Sequence, residues 1–363
     1  MIFTISTKQQ TDCSLIMLID LSFIFFYSFA SLFIVRKVAK KIGLVDKPDL
    51  RKQHQGVIPI AGGIAICIIL SNILYTRPDI APHSDVLLFC IVALTTIGGF
   101  DDKFDLNVIF RLVSQALISI IFMYKSGLQL NFLGDLFGFG VIQLQWLGGS
   151  IMTVIAILGA INAFNMIDGL DGLLGTLSIV TFASLSILFA LNQQNELGYL
   201  CVIIAVTILP YIFMNLGYIG RQRKVFMGDA GSMMIGFVVV CLLLSLTQER
   251  ESSLVSPVAA LWLIAIPLMD MTATIIRRLA KKRSPFQSDQ DHIHYILQDL
   301  GFSPAKTLFI ISGLACLFAT IGVVSELFHL SDSFMFYAFL SCFVVYSCVL
   351  SHLKKRTTLL KAL

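Results

Sequence analysis

Residues 226–247 read FMGDAGSMMIGFVVVCLLLSLT, where a single aspartate between a glycine and an alanine leads directly into an apolar stretch. Such a stretch is typical of a membrane helix, because backbone polar groups must be paired within the segment when no water is present. Further apolar stretches lie at about 13–35, 58–75, 86–100, 107–124, 147–164, 173–191, 199–217, 257–276, 307–329 and 335–352. We therefore predict an all-α integral membrane protein, a polytopic bundle of about eleven transmembrane helices.

The composition supports lipid as the solvent for much of the chain. The 363 residues are 57% hydrophobic and 13% charged, with a mean hydropathy of +0.86. A soluble domain carries about 25% charged residues and needs them to cover its surface. Since no polar stretch is long enough to fold alone, we predict one polytopic membrane domain over residues 1–363. Neither the net charge of +4 nor any motif predicts a nucleic-acid partner, and self-association into a homo-oligomer is left open.

Lysine and arginine are concentrated on one side of the predicted bundle. Of the 26 such residues, all but Lys8, Arg77, Arg111, Lys125 and Arg250 lie in alternate connections and the C-terminal tail. Positively charged connections face the cytoplasm. The N-terminus is therefore predicted outside and the C-terminus in the cytoplasm. The connections predicted to form the cytoplasmic face are 36–57, 101–106, 165–172, 218–231 and 277–306.

Three aspartate motifs fall on this predicted cytoplasmic face. Asp101 and Asp102 lie in GGFDDKFD, Asp168 and Asp171 in NAFNMIDGLDG, and Asp229 in FMGDAGS. Each aspartate alone could simply end a helix at the interface. Together, clustered carboxylates repel one another and need a cation to coexist, and hard oxygen ligands suit Mg²⁺ or Mn²⁺. The motifs therefore predict metal-assisted phosphate chemistry, and residues 168 and 171 would share one face if their segment is helical.

A histidine pair follows a basic segment in 277–306. His292 and His294 are two residues apart, so on a helix they would point in different directions, and a two-histidine metal site is not predicted. A phosphate-binding surface is the preferred interpretation, although topology alone explains part of the charge and the histidines could lie in a solvated loop. The nearby basic residues are Arg277, Arg278, Lys281, Lys282 and Arg283. Asp20 and Asp270, inside predicted spans, are expected to have buried structural or relay roles.

A second basic segment, LVDKPDLRKQHQGVIPIAGGIAI, runs from Leu44 to Ile66 into the second predicted helix. Its lysines, arginine and histidine could bind anionic headgroups or phosphates, or form only an interfacial basic loop. A P-loop and a GxSxG nucleophile elbow are both absent from the sequence. The chain therefore lacks the motifs of nucleotide hydrolysis and of serine-based acyl transfer.

Five blocks, taken in order, resemble the polyprenyl-phosphate N-acetylhexosamine-1-phosphate transferase family. They are VDKPDLRKQHQG (45–56), GGFDD (98–102), NAFNMIDGLDGL (162–173), FMGDAGS (226–232) and HIH (292–294). The resemblance implies that a lipid phosphate, expected to be undecaprenyl phosphate, attacks the β-phosphorus of UDP-N-acetylglucosamine and releases UMP. It also implies Mg²⁺ or Mn²⁺, a bacterial inner membrane, and the first membrane step of a cell-surface polysaccharide such as O antigen.

The resemblance further implies roles for individual residues. Asp101 and Asp102 match the paired aspartates, one of which is a candidate for activating the lipid phosphate. Asp168 and Asp171 match the pair that organises the nucleotide-sugar diphosphate and metal, assisted by Asn165. The expected metal ligands are Asp229, Asp168 and Asp102.

Further expected binding residues lie in the basic segments. The remaining site residues expected are His292 and His294, with Arg278 as a diphosphate clamp and Lys47 and His54 binding substrate. Tyr295 stands where the family usually has a third histidine. A phenol can form hydrogen bonds but cannot become a cation, so a different sugar preference is one expectation.

Two other readings remain. A sister enzyme could use UDP-N-acetylmuramoyl-pentapeptide or another UDP-N-acetylhexosamine. A transporter or lipid flippase without chemistry would release no UMP. Direct attack by the lipid phosphate is favoured over a covalent aspartyl intermediate, because a phosphate nucleophile is already ionised at neutral pH.

Overall fold

The computed structural model describes residues 7–47, 56–248, 255–285 and 291–362, and this part of the chain is mainly helical. The helices are α1 (Thr7–Ile42), α2 (Gly62–Thr76), α3 (Ser84–Phe104), α4 (Val108–Ser126), α5 (Trp146–Ile167), α6 (Leu173–Leu191), α7 (Asn195–Asn215), α8 (Gly228–Gln248), α9 (Pro257–Leu263), α10 (Ala265–Ala280), α11 (Ile293–Asp299), α12 (Pro304–Leu327) and α13 (Asp332–Ala362). Two antiparallel strand pairs are β1 (Val45–Asp46) with β2 (Ile58–Pro59), and β3 (Phe132–Gly134) with β4 (Ile142–Gln143).

Each of the predicted apolar stretches is helical, and the protein is a polytopic all-α membrane protein. Within the described residues, nine helices are individually long and apolar enough to cross a membrane. Helix α2, with 15 residues, is shorter than these, and α9 and α10 reach the required length only as a pair. The total of eleven spans and the orientation of the termini stay predictions.

The stretch 257–276 differs from the straight span that its hydropathy predicts, because α9 and α10 meet at 83°. Pro267 explains the bend, since a proline has no N–H to donate to the carbonyl four residues earlier. That carbonyl belongs to Leu263, and it accepts a hydrogen bond from the Thr181 hydroxyl of α6 at 3.2 Å. The bend therefore leaves no unpaired carbonyl at this position.

Helix α8 lies at the centre of the bundle, and its apolar window is fully buried within the protein. Glycines allow its neighbours to approach it closely. A Cβ on Gly63 of α2 would lie 2.2 Å from the Gly231 nitrogen, and one on Gly98 of α3 would lie 2.5 Å from the Ala230 Cα. These contacts hold the first turn of α8 against α2 and α3, and so fix where Asp229 lies.

The β1–β2 pair is joined to the segment that precedes α8. The Phe226 N–H donates to the Pro59 carbonyl at 3.0 Å, and the Phe226 carbonyl accepts bonds from the N–H groups of Ala61 and Gly62 at 3.1 and 2.9 Å. The strand pair β1–β2 and the segment 226–232, which are far apart in sequence, are therefore joined through their backbones at one end of the bundle.

Candidate active site

Asp102 caps helix α8. Its Oδ1 accepts a hydrogen bond from the Asp229 N–H at 2.8 Å, and its Oδ2 accepts one from the Ala230 N–H at 3.1 Å. Two N–H groups in the first turn of a helix have no partner within the helix, so this carboxylate satisfies them and complements the helix dipole. The GGFDD and FMGDAGS motifs therefore meet at the same end of the bundle.

Arg111 links two of the aspartates. Its Nη1 donates to Asp101 Oδ2 at 2.6 Å and lies 3.3 Å from Asp229 Oδ2. Asp101 is 5% exposed and also accepts the Leu106 N–H at 2.8 Å. Charge counting leaves Arg111 outside the cytoplasmic connections, whereas the structure places it in the first turn of α4 beside the aspartates. Arg111 therefore lies at the same end of the bundle as the aspartate motifs.

Asn165, near the end of α5, contacts the other oxygen of Asp229. Its Nδ2 donates to Asp229 Oδ1 at 2.6 Å and to the Ser232 hydroxyl at 2.9 Å. The Asp229 side chain is about one third exposed, so it remains accessible from outside the protein. Asn165 and Arg111 thus hold this carboxylate from opposite sides and orient it.

Asp168 and Asp171 do not share a helix face, because residues 168–172 form the loop between α5 and α6. The Asp171 carboxylate is paired with Lys224 Nζ. Asn215 fastens the loop, since its Oδ1 accepts the Gly172 N–H at 2.5 Å and its Nδ2 donates to the Val225 carbonyl at 2.8 Å. The loop is therefore bound to the segment that leads into α8.

Asp168 lies in surroundings that disfavour the charge of its carboxylate. The surrounding protein displaces its water, and the negative charges of Asp102 and Asp171 add to this effect, so its pKa rises to about 7. Its carboxylate accepts no hydrogen bond from any residue that the structure describes. A nearby cation would therefore stabilise the ionised form of Asp168.

The donor set suits a divalent ion that is shared with a ligand. Within the described ranges, no group of three or more Asp, Glu, His or Cys side chains could hold a metal ion by itself. Mg²⁺ commonly takes one or two protein carboxylates and completes its shell with water and substrate phosphates. Crowded carboxylates with a raised Asp168 pKa, and an incomplete set of protein ligands, fit that mode of binding.

The two histidines lie side by side rather than pointing apart. His292 precedes α11 and His294 lies in its first turn, and their rings are parallel with centroids 5.8 Å apart. A Cβ on Gly169 would lie 2.1 Å from His294 Nε2, so this ring packs on the loop that follows Asp168. The Tyr295 ring is 4.2 Å from the His294 ring. The HIH and DGLDG motifs are therefore in contact.

The histidines differ in their surroundings. His294 is completely buried, and neither ring nitrogen has a hydrogen-bond partner among the described residues. Burial lowers its pKa to about 4, since the charged ring would lose its water, and the neighbouring Asp270 offsets this only in part. His294 is therefore neutral at physiological pH, whereas His292 Nδ1 lies 2.7 Å from Asp270 Oδ2.

Of the four predicted substrate-binding residues, the structure describes Lys47, Asn165 and Arg278. Arg278 is 4% exposed, and its Nη1 donates to the Pro285 carbonyl at 2.6 Å, which ties down the segment after α10. Lys47 follows β1 and is exposed. His54 lies outside the described residues. Their roles in binding substrate stay predictions, and Arg278 has at least one structural role besides.

Sequence reasoning missed two basic residues of the site. Arg111 lies within an apolar stretch, and an ionisable residue at such a place is a signal of function that charge counting overlooks. Lys224, the partner of Asp171, stands in the basic run RQRK, where topology alone accounts for the charges. The pairing of each depends on contacts between helices that are distant in sequence.

The chain is similar to known proteins over most of its length. The profile of glycosyl transferase family 4 matches residues 85–247, which contain all five aspartates discussed above. Two relatives bear the name undecaprenyl-phosphate alpha-N-acetylglucosaminyl 1-phosphate transferase. The one from Escherichia coli (strain K12) is 43% identical over 332 residues, which are 90% of this chain and 89% of the relative. The one from Yersinia pestis is 46% identical over 329 residues, with the same coverage.

A third relative of the same name, from Pasteurella multocida (strain Pm70), is 41% identical over 332 residues, 91% of this chain and 92% of its own length. Identity at this level over nearly the whole of both chains leaves no large region of either unmatched. The chain therefore belongs to glycosyl transferase family 4, together with these membrane transferases.

Proposed function

We propose that the protein transfers N-acetylglucosamine-1-phosphate from UDP-N-acetylglucosamine to undecaprenyl phosphate, releasing UMP. An oxygen of the lipid phosphate attacks the β-phosphorus of the nucleotide sugar. The bond from that phosphorus to the bridging oxygen breaks, and UMP leaves with the bonding electrons. The observation that carries the proposal is the carboxylate cluster of Asp102, Asp168 and Asp229, in a chain 43–46% identical to transferases of this name.

The proposed metal is Mg²⁺, with Mn²⁺ as a substitute; Asp229, Asp168 and Asp102 would supply its protein ligands, one or two at a time, and substrate phosphates would complete its shell. When bound, such an ion neutralises charge on the diphosphate and favours its displacement. Both oxygens of Asp102 already accept backbone N–H groups, and each carboxylate oxygen carries two lone pairs. Asn165 and Arg111 each contact one oxygen of the Asp229 carboxylate and so fix its orientation.

The remaining residues would position the two anionic reactants. In-line placement and charge neutralisation supply most of the catalysis in phosphoryl transfer. Asp171, held by Lys224, and the loop 168–172 would receive the diphosphate. Arg278 would supply hydrogen-bond donors near it and His292 would act on the lipid phosphate, whereas the neutral His294 would contribute shape rather than charge. One of Asp101 and Asp102 would contact the lipid phosphate, and direct attack needs no covalent aspartyl intermediate.

The proposed location is the bacterial inner membrane, with the site on its cytoplasmic side. Nucleotide sugars are water-soluble and a polyprenyl phosphate is confined to the bilayer, so the site must lie at the membrane surface. The clustering of the motifs at a single end of the helices meets that need. The basic residues of the predicted cytoplasmic connections are consistent with this side being inward.

The test is UMP release by the purified protein in detergent or nanodiscs, with UDP-N-acetylglucosamine, undecaprenyl phosphate and Mg²⁺. Release should require the lipid acceptor and stop when the divalent ion is chelated. UDP-N-acetylmuramoyl-pentapeptide and UDP-N-acetylgalactosamine, run in parallel, identify a sister enzyme if either is preferred. No UMP release with any donor, or full release by Asp229→Asn, would contradict the proposal.

A further inference from the structure

A buried network behind His292 is not used by the chemistry described so far. Asp270 of α10 is 1% exposed, and its carboxylate accepts hydrogen bonds from three donor groups. Its Oδ1 accepts the Ile293 N–H at 3.0 Å and the Tyr346 hydroxyl of α13 at 3.0 Å, while its Oδ2 lies 2.7 Å from His292 Nδ1. A carboxylate that receives this many donors is stabilised in its ionised form.

An ionised carboxylate can only accept hydrogen bonds. The atom of His292 that faces it must therefore carry a proton, which places the ring hydrogen on Nδ1. Nε2 is then the ring atom left to interact with a ligand, and it makes no hydrogen bond with any residue that the structure describes. The chemistry of the neighbour thus selects one tautomer of His292.

The backbone on the other side of His292 is also anchored. Arg277 Nη2 donates to the carbonyl of Asp291 at 2.5 Å, and the Asp291 carboxylate pairs with Lys354 of α13 at 3.0 Å and Lys281 at 3.4 Å. The ring therefore has fixed backbone on both sides and a fixed partner at Nδ1. Such rigid support is typical of a side chain whose orientation matters to a reaction.

We propose that Asp270, supported by Tyr346, is a positioning residue that holds His292 with its proton on Nδ1, so that the Nε2 lone pair can accept the proton of a singly protonated lipid phosphate as that phosphate attacks. The inference rests on the proposed function, since it gives His292 a phosphate ligand. Asp270 itself touches no substrate, because it is enclosed by α10, α11 and α13. The competing explanation is that Asp270 only caps α11 through the Ile293 N–H.

The variant Asp270→Asn separates the two explanations. The Asn oxygen can still accept from Ile293 and Tyr346, so the cap is retained, but the amide nitrogen would donate to His292 Nδ1 and move the ring proton to Nε2. We expect kcat to fall about 100-fold or more, in line with the loss of a correctly protonated side chain, while KM for the nucleotide sugar changes less than about threefold. Tyr346→Phe keeps the ring and should lower kcat about tenfold.

A double-mutant cycle gives the decisive result. If Asp270 acts through His292, adding Asp270→Asn to His292→Ala should change the residual UMP release by less than about threefold. A loss of the same size in both backgrounds would overturn the inference. Size-exclusion profiles and thermal unfolding in detergent check that each variant is folded. Wild-type protein without UMP release would refute the proposed function instead, so the two failures can be told apart.

A spectroscopic measurement tests the tautomer directly. The chain has six histidines, so ¹⁵N-histidine labelling gives a spectrum in which the His292→Ala variant identifies the signals of His292. Wild-type protein should show the Nδ1-protonated form, and Asp270→Asn should show the Nε2-protonated form. An Nε2-protonated ring in the wild type would also overturn the inference.

Discussion

The carboxylate of Asp102 accepts the backbone N–H of Asp229 at 2.8 Å, so one candidate metal ligand sets the position of another. Asp102 therefore contributes in two ways that can be separated. It stabilises the fold by capping α8, and its negative charge contributes to activity. Replacing a cap residue by Ala costs about 1 kcal/mol of stability. We expect Asp102→Ala to lower both the free energy of unfolding and UMP release, and Asp102→Asn, which keeps an acceptor, to abolish release with a smaller loss of stability. An Asp102→Asn protein with near-normal turnover would reduce Asp102 to a cap.

Gly98 and Gly99 are adjacent but face different surroundings, and they provide a matched pair. A Cβ on Gly98 would lie 2.5 Å from Ala230, whereas a Cβ on Gly99 meets nothing within 4 Å. Gly98→Ala should force α3 and α8 apart, cost about 1–3 kcal/mol of stability, and reduce UMP release at least tenfold. Gly99→Ala should leave activity unchanged and stabilise the helix by up to about 1 kcal/mol. Equal effects of both variants on thermal unfolding and turnover would contradict this packing.

Arg111 balances Asp101, which is almost completely buried. Removing one member of such a pair leaves an uncompensated charge and costs about 3–5 kcal/mol when the site is fully enclosed. Because Arg111 is partly exposed, we expect Arg111→Gln to cost less than this, and to lower UMP release strongly. The double variant Arg111→Gln with Asp101→Asn should recover stability but not activity. Lys125→Gln, at the far end of the same helix, is the control and should change neither.

Because burial lowers the pKa of His294, we expect the stability of the protein to depend on pH. This pKa is about 4 in the folded protein and about 6.5 when unfolded, so the unfolded chain binds more protons between these values. The contribution of His294 is therefore complete above pH 6.5 and is lost as the pH falls toward 4. Relative to His294→Gln, the wild-type protein should lose thermal stability over this range. The exposed His352→Gln variant should track the wild type, and parallel curves for all three proteins would refute the burial argument.

Much of the fold could be predicted from the sequence, because lipid requires long apolar helices and these leave an unmistakable pattern. The 83° bend between α9 and α10 shows where that pattern is insufficient. Pro267 is visible in the sequence, but hydropathy over 257–276 is the same for a straight span and a broken one. Whether a proline bends or interrupts a helix depends on its neighbours. Here the Thr181 hydroxyl donates the hydrogen bond that the Leu263 carbonyl cannot receive from Pro267.

The aspartates of the candidate site could be predicted from the sequence, but the residues that pair with them were harder to predict. Asp101, Asp102, Asp168 and Asp229 stand out because acids are rare in this chain and lie beside glycines. Arg111, Lys224 and Tyr346 do not stand out, since each becomes part of the site only through a contact between distant elements. The expectation that His292 and His294 point apart assumes that both are helical, whereas His292 precedes the helix.

Helix α8 has no face toward lipid along its apolar window, although it carries Asp229. A bilayer that is too thick or too thin deforms or tilts the helices that it touches, and such hydrophobic mismatch falls here on peripheral elements such as α1, α4 and α13. The strain can reach α8 only indirectly, through the helices that pack around it, which include α2, α3, α5 and α6. The helix that carries Asp229 is thereby kept from direct contact with lipid, and Arg111 of α4 is the partner through which membrane thickness would reach the Asp229 carboxylate.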